Sequence, residues 1–405
     1  MKCREALFKM NYSFSNRIAA LQPSIIREIL KASSGQNVIP FSAGNPAPET
    51  FPIEAIRTFT QSILEHDPVT ALQYGITEGY VPLREALTQH LKTGFDTGKP
   101  SDQLFIVSGA QQGIELACKV FCNEGDTIIC ESPSFIGSLN SFRASGAKLA
   151  GVPMEMDGMD IEKLEQALQT EPNVKLIYVI PSFQNPTGVT TSLEKRKAIY
   201  ELAKKYGVMI LEDNPYGELR FNGDDVPTIK SMDDEGLVIY VGSFSKILSA
   251  GLRVGFVQAP HEVVEKMVVA KQGEDVHTAM LPQILAYKFM TEYDYAGHIN
   301  SIREVYRRKA TLMMDKLQEH MGESITYTQP DGGLFLWCDL PAHVPMLDYA
   351  KTAAAQGVAV VPGNAFLVNE QDPCNAIRLN FSTPSDEQIV KGVEILGQVL
   401  KGYNA

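Results

Sequence analysis

Between residues 104 and 258 the chain returns repeatedly to short runs that are apolar and β-branched at successive positions: 104–107, 127–130, 175–180, 208–211, 237–241 and 254–257. A strand with one face in water alternates apolar and polar residues, whereas a run without alternation must be covered on both faces. Amphipathic stretches separate the runs, as crossover helices would, so the pattern predicts a mostly parallel sheet clothed by helices, an α/β fold. In such sheets ligands bind in the crevice beyond the carboxyl ends of the strands. The strand ends are therefore where chemistry is expected.

After Asp294 the pattern changes. A long charged helix over 299–320 is followed by a run at 334–337, a helix near Tyr349, runs at 358–361 and 377–381, and a terminal helix, which together read as a smaller α+β domain. Arg303, Arg307, Arg308 and Lys309 on the long helix, beside Glu304, read as a solvated basic face. At the other end, residues 25–32 form an amphipathic pattern with Ile26, Ile29 and Leu30 on one side, followed by the loop Phe41-Ser42-Ala43-Gly44-Asn45-Pro46, expected near the active cleft. The expected division is 1–45 for an N-terminal segment, 46–293 for a large domain and 294–405 for a small one. No repeat, low-complexity tract or Gly/Ser linker separates them, so close packing is expected.

Composition narrows the partners. Of 405 residues, 36 are Lys or Arg and 48 are Asp or Glu, a net charge of −12 that repels a phosphate backbone and argues against nucleic acid. The six cysteines, Cys3, Cys118, Cys122, Cys130, Cys338 and Cys374, show neither disulfide-framework nor zinc spacing. A cytoplasmic location is expected, and no metal site. Cys118 and Cys122 read as packed thiols on an apolar helix. No run of about 18 uncharged apolar residues occurs, so no membrane span is expected.

Four strand ends carry the chemistry. Gly242-Ser243-Phe244-Ser245-Lys246 follows an apolar run, and Arg253 stands seven residues beyond the lysine. Two hydroxyls and a guanidinium fork suit a phosphate, and a lysine beside a phosphate site suggests pyridoxal phosphate. A lone strand-end lysine is more often a solvated loop residue. Asp213, just past the run 208–211 and ahead of Tyr216, can balance a protonated pyridine nitrogen, or can simply cap the turn before Pro215. Asn185, in Gln184-Asn185-Pro186-Thr187-Gly188, can donate to a phenolate oxygen, or belong to a plain reverse turn. Ser108-Gly109-Ala110-Gln111 joins a run to a helix whose first N–H groups could cradle a phosphate. It matches neither the dinucleotide nor the Walker A pattern.

Taken in this order, the four motifs resemble those of the fold-type I, class I pyridoxal-phosphate aminotransferases. The similarity extends through residues 72–84, 270–273, His277-Thr278, 332–337 and Ile377-Arg378-Leu379-Asn380-Phe381, nearly the whole chain. Within the family it is most similar to the 2-aminoadipate, kynurenine and other broad-specificity transaminases. The resemblance implies a large domain with a mostly parallel seven-stranded sheet and a smaller α+β domain. It implies that Lys246 is the covalent anchor of the cofactor and the base that moves the substrate Cα proton. Asp213 would hold the pyridinium, Asn185 and Tyr216 the O3′ oxygen, and Phe135 the ring face. Ala110, Gln111, Ser243, Ser245 and Arg253 would take the phosphate, joined by Tyr74 of a neighbouring subunit, which implies a homodimer with shared active sites. Arg378 would grip the substrate α-carboxylate beside Gly44, and Arg27, with Ser24 nearby, matches a position that contacts a distal carboxylate. The implied activity is amino transfer between an L-amino acid and a 2-oxo acid, with 2-oxoglutarate as acceptor, within amino-acid metabolism.

Some positions depart from the family pattern. Ala110 stands where many relatives have serine, Phe135 where tyrosine is frequent, Ala43 where a paired glycine is usual, and Asn45 where leucine is common. None touches Lys246 or Asp213, so the departures bear on substrate preference. Two alternatives stay open on the sequence: a β-lyase or decarboxylase using the same cofactor contacts, and a ligand-sensing regulator built on an aminotransferase-like domain.

Overall fold

The computed structural model describes residues 12–19 and 38–403. The helix expected over 25–32, with Ser24 and Arg27, lies outside the described residues.

The strands of the large sheet are β1 (Asp102–Val107), β2 (Thr127–Ser132), β3 (Lys148–Glu155), β4 (Gly158–Met159), β5 (Val174–Val179), β6 (Met209–Asp213), β7 (Val238–Ser243) and β8 (Gly255–Pro260). Their order is β1-β8-β7-β6-β5-β2-β3-β4. Pairings from β7 through β6, β5 and β2 to β3 are parallel, while β8 runs antiparallel to both β1 and β7. All six runs read from the sequence are strands of this sheet. The count of seven needs correction to eight, because Met159 and Gly158 pair back on β3 as a two-residue strand. β3 itself gave no apolar run: it carries Gly151 and Pro153, and most of its side chains are partly or fully exposed.

Double-sided burial follows from the lack of alternation. On β5, Leu176 and Tyr178 pack into one apolar cluster with Ile114 and Ala117 of the helix Ala110–Phe121, while Ile177 and Val179 join Leu164, Ile199 and Ala203 on the opposite face. The helix Ala110–Phe121 lies directly on the sheet at Gly113, where a Cβ would come within 2.7 Å of Val257 Cγ2.

A second sheet, order β11-β12-β10-β9, comprises β9 (Thr326–Tyr327), β10 (Phe335–Asp339), β11 (Val361–Pro362) and β12 (Ala376–Asn380), all antiparallel. The run at 358–361 contributes only its last residue to β11, and Val358 instead bridges Ile39. Asn380 N–H donates to Phe41 O at 2.9 Å, so the strand that carries Arg378 is stitched to the 41–46 loop. The long helix is Tyr295–Met321, starting ahead of expectation because the Asp294 side chain caps it by accepting from Gly297 N–H at 3.0 Å.

Its basic run is a solvated face only in part: Arg307 and Arg308 are exposed, Arg303 is half-buried, and Lys309 is not at the surface at all. Lys309 is buried, pairs with Glu49 at 2.5 Å, and donates to Ser382 O and Pro384 O at 3.0 and 2.9 Å. Arg303 and Arg307 donate through Nε to Glu218 O and Phe221 O. Charge periodicity alone could not reveal that these cations face backbone carbonyls of other elements. Cys118 is buried and Cys122 partly so. Among the described residues no helix is long and apolar enough to cross a membrane.

Candidate active site

The carboxyl ends of β1, β2, β5, β6 and β7 open on one edge of the large sheet, where a cavity of about 600 Å³ lies. β8 runs the other way, so the residues that precede it, Arg253 among them, arrive at the same edge. That reversal is why the arginine comes before its strand and the other candidates after theirs. The 41–46 loop closes the cavity through Ser42, Ala43, Gly44 and Asn45, and Arg378 reaches in from β12.

Lys246 and Asp213 line this cavity together. Lys246 Nζ donates to Gly44 O at 2.7 Å. Burial, then the charges of Arg378 and Arg253, push its ammonium down to about 8, against a smaller opposing pull from Asp213. Asp213 is the last residue of β6 and is buried; burial pushes its carboxyl up to about 7, while the Tyr178 hydrogen bond and the charge of Lys246 act the other way. Its Oδ2 accepts from Tyr178 Oη at 2.8 Å, and its Oδ1 has no hydrogen-bond partner among the described residues. Asp213 is thus no turn cap.

A second corner is built for an anion. The helix Ala110–Phe121 begins with no side-chain cap, so the N–H groups of Ala110 and Gln111 have no acceptor within the helix. Gly109 ahead of it has φ +78°, and the Arg253 guanidinium occupies the space a Cβ would need. Ser243 Oγ donates to Ser245 Oγ at 2.8 Å, and Arg253 donates to Ala250 O and Ser108 O at 3.2 and 3.3 Å. Phe135 presents its ring to the cavity from the residue that caps the helix Ile136–Ala144.

At the third corner Arg378 is buried, and burial pushes its guanidinium down to about 10, still charged at neutral pH. It lies over the Phe335 ring at 4.3 Å and the Phe366 ring at 5.0 Å. Its Nη2 donates to Ser42 O and Ala43 O, its Nη1 to Asn185 Oδ1 at 3.1 Å, and its Nε has no partner among the described residues. Asn185 Nδ2 in turn donates to Tyr216 Oη at 3.5 Å. Tyr216 is buried edge-on against Phe335, and burial pushes its phenol up, with the charge of Asp213 adding to the rise.

Lys246, Asp213, Tyr216, Asn185, Ala110, Gln111, Phe135, Ser243, Ser245, Arg253, Arg378 and Gly44 are therefore brought together. Tyr74 is not: it stands outside the cavity, 81% exposed, edge-on to His277. At Gly44 an added Cβ would meet Phe335 at 3.6 Å, an ordinary contact, so steric need does not explain that glycine. Sequence reading missed the roles of Phe335 and Phe366 as the rings around Arg378. Phe335 lies within the 332–337 segment of family likeness, whereas nothing in the sequence around Phe366 points to the site.

The donor set fits pyridoxal phosphate. An amine, an unpartnered buried carboxylate oxygen, an aromatic face, a phenol–amide pair and an uncapped helix start with two hydroxyls and a guanidinium each match one part of that molecule.

A family model described as aminotransferase class I and II matches residues 36–396. The chain is 39% identical over 392 residues to aromatic-amino-acid aminotransferase 1 of Thermococcus litoralis, spanning 96% of this chain and 94% of that protein. It is 38% identical over 396 residues to 2-aminoadipate transaminase of Thermus thermophilus, spanning 97% and 98%. Among solved structures, the multiple substrate aminotransferase of Thermococcus profundus superposes with a TM-score of 0.92 at 38% identity, covering 96% of this chain and 98% of that one. With the geometry and the likeness in agreement along nearly the whole length, the chain belongs to the class I and II aminotransferases and is a pyridoxal-phosphate enzyme.

Proposed function

We propose that this protein is a broad-specificity transaminase that takes the amino group of aromatic L-amino acids and 2-aminoadipate and delivers it to 2-oxoglutarate, acting as a cytoplasmic homodimer. The observation that carries the reading is the placement of Lys246, Asp213 and Arg378 around one cavity. Arg378 supplies a carboxylate anchor between two rings, and the apolar lining from Pro40, Phe135 and Ile136 accepts a large side chain. The names of the relatives, an aromatic-amino-acid and a 2-aminoadipate enzyme, support that range.

When bound, pyridoxal phosphate supplies the electron sink that lets a Cα–H bond break heterolytically and the carrier on which the amino group waits between half-reactions. The chain's own residues do the rest. Arg378 binds the α-carboxylate through its guanidinium fork and so orients Cα. Lys246, whose ammonium is lowered to about 8 by burial and so gives up its proton more readily than an ordinary lysine, accepts the Cα proton on Nζ as the free amine and returns it. Asp213 holds negative charge at the ring nitrogen, Asn185 and Tyr216 hold the phenolic oxygen, and Phe135 covers the ring face. Ala110 and Gln111 N–H, Ser243, Ser245 and Arg253 fix the phosphate.

A distal carboxylate on 2-oxoglutarate or 2-aminoadipate needs a second cation. The described cations lining the cavity are Lys246, Arg253 and Arg378, and the first two serve the cofactor. Arg27, with Ser24, is proposed to supply it from the 1–45 segment. The reading also divides the chain at residues 45 and 293. An exposed apolar stretch, Val69, Leu72, Tyr74, Ile76 and Val81, supports a second copy of the chain as its cover, which would bring Tyr74 toward the neighbouring site. A sedimentation mass of one chain at micromolar concentration would refute the dimer.

The test of the whole reading is Lys246→Ala. Borohydride should fix pyridoxal phosphate to the wild-type protein and not to the variant, and transfer from aromatic amino acids and 2-aminoadipate to 2-oxoglutarate should disappear. A reducible adduct retained in the variant sinks the assignment. Pyruvate and ammonia released from a β-substituted amino acid without any 2-oxo acid present would point instead to lyase chemistry.

A further inference from the structure

Two side chains that belong to none of the site motifs stand behind Asp213. Tyr178, on β5, is fully buried, and its hydroxyl lies 2.8 Å from Asp213 Oδ2 and 2.7 Å from Ser138 Oγ. An ionised carboxylate has no proton to give, so Tyr178 directs its single O–H proton to Asp213. The Ser138 hydroxyl must then donate to the phenol oxygen. The chain of donation therefore runs one way, from Ser138 through Tyr178 to Asp213.

Ser138 sits on the helix Ile136–Ala144, whose N-cap is Phe135. The residue at the cofactor's ring face and the first donor of the chain thus lie three positions apart on one element. Phe142 of the same helix packs edge-on against Tyr178, with ring centroids 5.3 Å apart, and fixes the phenol in place.

We propose that Tyr178, oriented by Ser138, is the positioning residue for Asp213: it holds Oδ2 as an ionised acceptor and so aims the unpartnered Oδ1 at the ring nitrogen of pyridoxal phosphate. The inference rests on the reading that Asp213 pairs with that nitrogen. The need for such a donor is physical. A carboxylate buried at this depth tends to take up a proton, and a protonated Asp213 could not balance a pyridinium. Tyr178 is its one hydrogen-bond donor among the described residues, and Lys246 is the cation that acts on it across the cavity. The buried carboxylate of Glu131 on β2 and the phenol of Tyr216 face the same region; Glu131 is itself held by Ile180 N–H and Gln184 Nε2, both at 3.1 Å.

Tyr178→Phe removes only the hydroxyl. Its effect is read on cofactor affinity by equilibrium dialysis and on the pH midpoint of the bound cofactor's absorbance, with thermal stability followed alongside. The variant should bind pyridoxal phosphate about tenfold or more weakly, the loss typical of a hydrogen bond to a charged group. Its absorbance midpoint should move in the direction that Asp213→Asn moves it. Ser138→Ala should shift both quantities the same way by less. In the Asp213→Asn background, Tyr178→Phe should add nothing further.

If Asp213→Asn shifts affinity and midpoint while Tyr178→Phe leaves both at wild-type values, or only lowers the melting temperature, the positioning role is overturned and that of Asp213 stands. If Asp213→Asn itself changes neither quantity, the reading of Asp213 falls and this inference with it.

Discussion

Arg378 and Asn185, 193 residues apart in the chain, meet side chain to side chain: guanidinium Nη1 donates to the amide oxygen at 3.1 Å, and the amide nitrogen reaches on to Tyr216. The group proposed to grip the substrate carboxylate is thus one hydrogen bond from the group proposed to hold the cofactor's phenolic oxygen. Substrate binding and cofactor electronics are mechanically linked there.

That link separates two variants. Arg378→Lys keeps a positive charge but loses the planar fork and its contact with two rings, and it should cost about a hundredfold in kcat/KM for every amino acid tested. Because Nη1 of Arg378 donates to Asn185, the cofactor's absorbance without substrate should shift only slightly, and less than in a variant of Asn185 itself. Asn185→Ala should alter that absorbance and also raise KM. Steady-state kinetics beside a ligand-free spectrum checks both. A spectrum altered by Arg378→Lys and left alone by Asn185→Ala would contradict the geometry.

The lowered Lys246 ammonium sets a pH window. Burial, with Arg378 and Arg253 adding repulsion, brings it down to about 8 from the usual 10.4 or so. The amine is protonated below that value and free above it, and only the free amine can attack a carbonyl carbon or accept a proton. Covalent capture of pyridoxal phosphate by the cofactor-free protein should therefore quicken as the pH rises to about 8 and level off beyond it. An ordinary lysine would go on accelerating to about pH 10. Removing one repelling charge, as in Arg378→Ala, should move the midpoint upward. Stopped-flow absorbance between pH 6 and 10 reads the effect.

The parts that could be read in advance share a physical cause. β5, β6 and β7 lack alternation because both faces are buried, and that one fact yields strand, sheet type and the edge where Asn185, Asp213 and Lys246 emerge. β3 lacks the run, with Gly151 and Pro153 inside it, and left no such trace. Phe366 and Tyr178 were illegible for a different reason. Each is an apolar-looking residue among apolar neighbours, and only the fold decides that one ring covers a guanidinium while the other's hydroxyl meets a carboxylate.

Lys309 shows how far charge patterning can mislead. It looks like one more surface cation, yet its ammonium satisfies two backbone carbonyls and Glu49 in a buried corner. Lys309→Met should leave those carbonyls unsatisfied and cost roughly 1–3 kcal/mol of stability. Surface substitutions nearby, such as Arg308→Met, should stay within about 0.5 kcal/mol. Thr383, which lines the cavity, donates to Asn45 O next to this corner, so KM should rise modestly as well. Chemical denaturation of the two variants side by side checks the ranking, and equal stability would restore the solvated-face reading.

Substrate range depends on where the second carboxylate goes. If Arg27 receives it, Arg27→Ala should depress kcat/KM for 2-aminoadipate and 2-oxoglutarate by about tenfold or more, the worth of one charged hydrogen bond. Phenylalanine and pyruvate, which carry no distal carboxylate, should change less than twofold. On the proposed reading their α-carboxylates go to Arg378, which lines the cavity and is left in place by the substitution. Comparing specificity constants as a ratio of dicarboxylic to neutral substrate cancels any general loss of active protein. A ratio unmoved by Arg27→Ala would take Arg27 out of substrate selection.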